Sequence, residues 1–248
     1  MSMNYNWNVN STKFKHDPSI PESFRMLIVG PSGCGKTNLL FNMLLKPGFL
    51  DYNNLIVFSK TINQPEYQLL KLGFENSLSK EEISDIFRNQ NKYQGKSINE
   101  IFENSENKPI QEISISTLFS SKLEQIMPPQ SLNKSKKNLI IFDDCVNMKN
   151  QSVMEEYFTR GRHQNCNCIY LSQSWYDLPN RSIRNNSNFI ILFKLSKRNK
   201  DQLYTDLFSN IFEKSEFDSL VSHHWSKKYK YIALNTTTEN VIMDLFPV

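Results

Sequence analysis

The octet GPSGCGKT at residues 30–37 stands directly behind the apolar run FRMLIV. It meets the spacing G-x-x-x-x-G-K-[ST], and that spacing has a physical meaning. Gly30, Gly33 and Gly35 let the backbone bend until its N–H groups point inward. The bend makes a cradle of donors for phosphate oxygens that opens onto a helix N-terminus, where the helix dipole favours anions. The side chain of Lys36 has the length and charge to reach the outer phosphates, and the Thr37 hydroxyl is a hard oxygen ligand suited to Mg²⁺. The candidate nucleotide cradle is therefore Gly30, Pro31, Ser32, Gly33, Cys34, Gly35, Lys36, Thr37 and Asn38. A strand is expected over 24–29. TNLLFNMLL continues in a helical apolar pattern, so a helix is expected over 36–46, ended by Pro47 and Gly48.

Further along, NLIVFSK (54–60), NLIIF (138–142), NCIYLSQ (167–173) and NFIILFKL (188–195) are apolar runs of strand length. Helical stretches are expected at QPEYQLLKL, SKEEISDIF, SINEIF and ISTLFSSKLEQI within 61–137, then at QSVMEEYFTRGR and DQLYTDLFSNIF. A short final strand is expected at ENVIMDLF. Strands alternating with helices predict an α/β fold with a mainly parallel central sheet and helices on both faces. The phosphate site then lies at the carboxyl ends of the strands. Residues 1–21 are polar and read as an N-terminal extended arm, and 22–248 as a single nucleotide-binding domain. Within that domain, about 61–137 reads as a helical or irregular insertion and about 201–248 as a variable C-terminal portion.

LIIFDD (139–144) supplies the second half of a site. A buried parallel strand that ends in Asp carries the carboxylate to the phosphate face. Asp143 is the candidate Mg²⁺ ligand, through water, and Asp144 the group that orients or deprotonates the attacking water. Gln173, at the end of IYLSQ, can hydrogen-bond that water or a γ-phosphate. In FTRGRHQNC (158–166), Arg162 and secondarily Arg160 are candidates for an arginine finger. Such a finger acts in a neighbouring subunit's site and so implies an oligomer. The same pair also fits a helix C-terminus that complements its dipole, or a DNA contact.

Composition bounds the rest. The 248 residues suffice for one core, and the apolar runs are strand-sized, so no membrane span is expected. The N-terminus lacks an apolar signal core, so the chain is not expected to be secreted. Cys34, Cys145, Cys166 and Cys168 lack a second C-x-C pair, which argues against zinc and for reduced thiols. His223 and His224 lack partners at metal-ligand spacing. The abundant asparagine reads as the bias of an AT-rich genome. A net charge of +4 is compatible with nucleic acid without requiring it.

GPSGCGKTNLL, LIIFDD, FTRGRH, IYLSQSWYDLP and IRNNSNFIILFKLSKR, in that order over about 20–210, resemble the genome-packaging ATPases of the FtsK–HerA superfamily. The branch they resemble is the poxvirus-like one of large DNA viruses, virophages and Polinton-type elements. The resemblance implies a P-loop NTPase of RecA/FtsK type, Mg²⁺-dependent hydrolysis of ATP, and a homo-oligomeric ring that drives double-stranded DNA into a capsid. It also implies capsid or portal-vertex partners, and a location in the host cytoplasm or nucleus, at the viral factory or in the virion. Carried over by motif, Lys36 and Thr37 match the nucleotide site, Asp143 the Mg²⁺ site, Gln173 the strand-end polar residue and an RGR arginine the finger. Asp144 falls where many members have Glu. A helicase or conjugation-type DNA pump is the alternative motor reading, and a small-molecule kinase a further one.

A DNA pump needs cations near its track. Candidates are Lys134, Lys136 and Lys137, then Arg181 and Arg184, then Lys194, Lys197, Arg198 and Lys200, with Trp175 and Tyr176 as stacking groups. Each cluster also reads as an ordinary solvated face. The phosphate loop reads phosphates and not the base, so its sequence does not separate ATP from GTP.

Overall fold

The computed structural model describes residues 13–89, 115–146, 151–176, 178 and 181–246. Its centre is an eight-stranded sheet in the order β3-β2-β4-β5-β1-β6-β7-β8. The strands are β1 (Arg25–Val29), β2 (Asn54–Ser59), β3 (Ser116–Ser120), β4 (Asn138–Asp143), β5 (Cys166–Ser172), β6 (Phe189–Phe193), β7 (Tyr231–Asn235) and β8 (Asn240–Ile242). From β3 through β6 all neighbours are parallel, whereas β7 runs antiparallel to both β6 and β8. β4, β5 and β6 are buried along their whole length. That is why they read as unbroken apolar runs: a parallel strand covered on both sides has no solvent face to mark.

Alternate residues of each strand feed two cores. Met26, Ile28, Val57 and Ile141 face α1 (Lys36–Leu45), α2 (Pro65–Glu75) and α3 (Lys80–Arg88). Leu27, Val29, Phe142 and Tyr170 face α4 (Gln151–Arg160), α5 (Arg181–Asn186), α6 (Lys197–Leu203) and α7 (Lys214–His224). Helices thus cover both faces of a mainly parallel sheet, as expected from the alternation of elements. α3 starts at a capping box in which the Ser79 side chain accepts from Glu82 N and the Glu82 carboxylate accepts from Ser79 N.

The structure corrects several local expectations. ISTLFSSKLEQI is not a helix: its first part is the edge strand β3, paired in parallel with β2, and a 3₁₀ turn follows at Leu123–Gln125. SINEIF lies outside the described residues. The helix expected over 201–212 starts earlier, as α6, and continues as a π-helical turn at Tyr204–Phe208; α7, beyond it, was not expected. YIALN forms β7, which the reading of the chain did not mark as a strand.

Asparagine is also more than a compositional bias here. At the amino edge of the sheet, Asn54 Nδ2 donates to Asn138 Oδ1 (2.7 Å) and Phe24 N donates to Asn167 Oδ1 (2.8 Å). Arg25 N donates to Asn188 Oδ1 (2.7 Å). Asn138 and Asn167 are buried. The Asn167 and Asn188 amides satisfy backbone N–H groups where β1 begins, and Asn54 and Asn138 pair with each other.

The described part of the N-terminal segment is packed down at this edge. Asp17 N donates to Phe49 O, and the His16 ring sits between Asp51 N (2.9 Å from Nδ1) and Asn167 Nδ2 (2.8 Å from Nε2). Burial lowers the His16 pKa from 6.5 to about 4, against the opposing pull of the Asp51 carboxylate and the Glu22 carbonyl. A lowered histidine pKa contributes stability in full above about 6.5, and that contribution is lost as pH falls toward 4. The urea midpoint is therefore expected to fall between pH 6.5 and 4, and to fall less in His16→Gln. Equal slopes in the two proteins would show that His16 is not buried as described.

Candidate functional site: a phosphate cradle beside paired carboxylates

The parallel register sets four strand ends at one level. Ser59 of β2 pairs with Asp143 of β4, Asp143 with Leu171 of β5, and Ser172 of β5 with Val29 of β1. The phosphate loop leaves from Val29, and Gly30 N donates to Ser172 O (3.1 Å). The loop cannot lie this close to β6 with any side chain at position 30. A Cβ there would meet Cys34 Sγ at 2.6 Å and Phe193 Cβ at 2.7 Å. Gly35, at φ 105, is the N-cap of α1 and occupies the left-handed region that glycine favours.

A cavity of about 330 Å³ opens over this level, lined by Ser32, Gly33, Gly35, Lys36, Thr37 and Asn38 from the loop and helix. Opposite them stand Thr61, Gln64, Asp143, Asp144, Leu171 and Gln173. The loop residues, both carboxylates and the strand-end amide named from the sequence thus converge. Gly30, Pro31 and Cys34 shape the loop without lining this cavity. Lys36 Nζ donates to Gly30 O (2.7 Å) and Pro31 O (3.0 Å), which holds its ammonium at the loop's mouth. The Cys34 thiol is half-buried, and burial raises its pKa, so it is not a ready nucleophile.

Asp143 is 8% exposed. Its Oδ2 accepts from Tyr67 Oη (2.8 Å) and, at 3.4 Å, from Ser59 Oγ. Burial raises its pKa, while the Tyr67 hydrogen bond and Lys36 oppose the rise and Asp144 adds to it. Asp144 sits at φ 52, in the left-handed region that Asp tolerates better than most residues. Gln173 Nε2 donates to Asp144 Oδ1 (3.4 Å), so the strand-end amide and the second carboxylate form one unit. The Asp143 carboxylate and the Thr37 hydroxyl both line this cavity and are hard oxygen donors, a set that fits Mg²⁺.

Tyr67, Ser59, Thr61 and Gln64 were not singled out from the sequence. Ser59 carries the signal used for Gln173, a polar residue that ends an apolar strand. Tyr67 carries none, because a tyrosine in an amphipathic helix reads as core.

Arg160 and Arg162 are exposed and stand at the amino end of β5, across the sheet from the phosphate loop. The chain does not bring them into its own cavity. The lysine loop before β4 is at that same far end, where Lys137 pairs with Asp51 and Lys136 Nζ donates to Ser116 Oγ (3.0 Å). Arg184 lies 3.9 Å from Asp206 and Lys200 2.7 Å from Asp218. Arg198 stacks over Tyr176 with its guanidinium 5.0 Å from the ring centre, and Trp175 is buried, donating to Asp206 Oδ2 (2.8 Å). Among the described residues, no helix is long and apolar enough to cross a membrane.

A carboxyl group whose folded pKa is raised binds its proton more tightly in the folded chain. Its contribution to stability is present at low pH and lost as pH rises through the folded pKa. Asp143 therefore costs stability at neutral pH. Asp143→Asn keeps an acceptor for Tyr67, so its urea midpoint at pH 7 is expected to exceed that of the wild type. The gap should narrow toward pH 4. A lower midpoint at pH 7 would contradict the burial argument.

The same architecture occurs in solved structures. The chain is similar to the genome packaging NTPase B204 from Sulfolobus turreted icosahedral virus 2 in complex with AMP, at 12% identity and TM-score 0.55, covering 92% of this chain and 100% of that one. The AMPPCP complex of B204 gives 13% identity and TM-score 0.54, covering 92% and 100%. The ATP-gammaS complex gives 12% and 0.52, covering 89% and 96%. At this identity the likeness establishes the fold, a P-loop NTPase fold with a mainly parallel sheet. No protein-family model and no curated protein sequence matches the chain.

Proposed function

We propose that this chain is an Mg²⁺-dependent ATP hydrolase that works as a homo-oligomeric ring and translocates double-stranded DNA into a preformed viral capsid. The observation that carries the hydrolase reading is the convergence of Lys36, Thr37, Asp143, Asp144 and Gln173 on one cavity at the carboxyl edge of the sheet. The packaging step rests on two supports: the motif order that resembles FtsK–HerA packaging ATPases, and the fold shared with a viral packaging NTPase. On this reading the ring acts inside an infected cell and docks on a capsid or portal vertex.

The loop N–H groups and Lys36 hold the triphosphate, with Lys36 exchanging its own loop carbonyls for phosphate oxygens. Thr37 and Asp143 would hold an Mg²⁺, which would supply neutralisation of the charge on the phosphates. Asp144 accepts a proton from the attacking water, and Gln173, hydrogen-bonded to it, fixes the carboxylate and the water in line. Asp is one methylene shorter than the Glu found in many similar ATPases, so this pairing matters more here. Arg162, exposed and remote from its own cavity, is the finger delivered to the neighbour, with Arg160 the second choice. Of the cluster Lys194, Lys197, Arg198 and Lys200 that follows β6, Lys200 is paired with Asp218, and the other three are the cations that would track DNA phosphates.

Phosphate release from Mg·ATP is expected to rise with linear double-stranded DNA and steeply with protein concentration. Lys36→Ala and Asp144→Asn should each lower turnover at least ~100-fold, the scale of a positioned base or a charge clamp. Arg162→Ala should abolish turnover but keep nucleotide binding, and mixing with wild-type subunits should restore part of the activity. Normal hydrolysis by Arg162→Ala would remove the finger assignment. Phosphate transfer to a nucleoside or nucleotide, with no free phosphate, would replace the motor with a kinase.

A further inference from the structure

A second cavity, of about 450 Å³, adjoins the phosphate loop on its other flank and shares Ser32 and Gly33 with the first. Its far wall is the loop between α7 and β7, SKKYK at 226–230. We propose that this cavity is the nucleobase seat, with Tyr229 as its stacking wall, and that it accepts adenine and guanine without strong preference. The inference rests on the nucleotide reading above and deepens it.

Tyr229 is an anomaly that packing does not explain. Its φ of 65 lies in the left-handed region, which is strained for a bulky aromatic residue. Yet the residue is 57% exposed, so the strain is not offset by burial in the core. The loop is anchored at both ends. Trp225 closes α7 through its N–H to Val221 O (2.8 Å), and Lys230 Nζ pairs with Asp244 Oδ2 (2.6 Å). Between these anchors the tyrosine stands beside the start of α1: a Cβ on Gly35 would come within 3.3 Å of Tyr229 Cδ1. A nucleotide whose phosphates fill the cradle leaves it at this helix start, so its base emerges beside that ring.

The cavity's chemistry fits a base. Trp225 is buried, and its Nε1–H has no acceptor among the described residues. That nitrogen is itself buried, so Trp225 closes the wall of the seat with its ring and does not offer a donor to it. Lys228 Nζ lies 4.8 Å from the Tyr229 ring centre, where it can hold the ring or reach a phosphate. No carboxylate is among the described lining residues. Guanine is usually singled out by an acceptor for its N1–H and exocyclic NH₂, and a carboxylate is the side chain best suited to that role. A stacking seat without one is tolerant of the base.

The test is equilibrium binding, with Mg²⁺, of ATP, GTP and inorganic tripolyphosphate to the wild type, Tyr229→Ala and Tyr229→Phe. In the wild type, ATP and GTP should bind within about threefold of each other and both at least about tenfold tighter than tripolyphosphate, the size of one base–aromatic stack. Tyr229→Ala should lose that advantage for both nucleotides and leave tripolyphosphate unchanged, and Tyr229→Phe should retain it. Nucleotide affinities unchanged in Tyr229→Ala would overturn the seat, as would an equal loss for tripolyphosphate, which would make Tyr229 a prop for the loop. A strong preference for one purine would overturn the tolerance. If tripolyphosphate binds and nucleotides gain nothing over it, the seat fails while the phosphate cradle stands. If the wild type binds none of the three, the nucleotide reading fails first and takes the seat with it.

Discussion

Everything at the candidate site depends on parallel strands that end at one level. Ser59, Asp143, Leu171 with Ser172, and Val29 are held in register by backbone pairing across β2, β4, β5 and β1. Because β4 begins at Asn138 and ends at Asp143, a slip of register would draw a polar end away from its partners and into the core. The hydrophobic pattern that builds the core thus also sets the relative height of the phosphate loop and the two carboxylates. The asparagines that close the opposite edge lock the same register from below.

Around that level the chain departs from what stability alone would favour. Asp143 is a buried carboxylate, Asp144 and Tyr229 occupy left-handed backbone, and Gly30 touches its neighbours so closely that no side chain fits. Such departures gather where a structure is organised around a ligand. Their positions agree with one another: the two Asp residues stand at the end of β4, and Tyr229 stands beside the first turn of α1. On the proposed reading, a nucleotide would meet the first with its phosphates and the second with its base.

The legible parts of the molecule were those where burial or special backbone leaves a strong mark. The glycine loop, the apolar runs of β1, β2, β4, β5 and β6, and the DD at the end of β4 all declared themselves, because each depends on a residue pattern that few alternatives produce. β3 did not. STLFS is a half-exposed edge strand whose serines blur the alternation, and it sits next to a segment with helical spacing. β7 was hidden by the basic loop before it. Tyr67 was hidden because its ring is core and only its hydroxyl works at the site, a division that sequence spacing does not show. Asparagine was discounted as composition, although several positions are structural. The arginines of RGR were legible as unusual, but their distance from the chain's own cavity is a property of the fold alone.

The central claim is that the chain couples nucleotide turnover to movement along duplex DNA. The most direct measurement is ATP-dependent displacement of a triplex-forming oligonucleotide from a linear duplex, with Lys36→Ala as the control. The account predicts displacement by the wild type that requires hydrolysable nucleotide and fails in the variant. Vigorous ATP hydrolysis with the triplex left in place would contradict it.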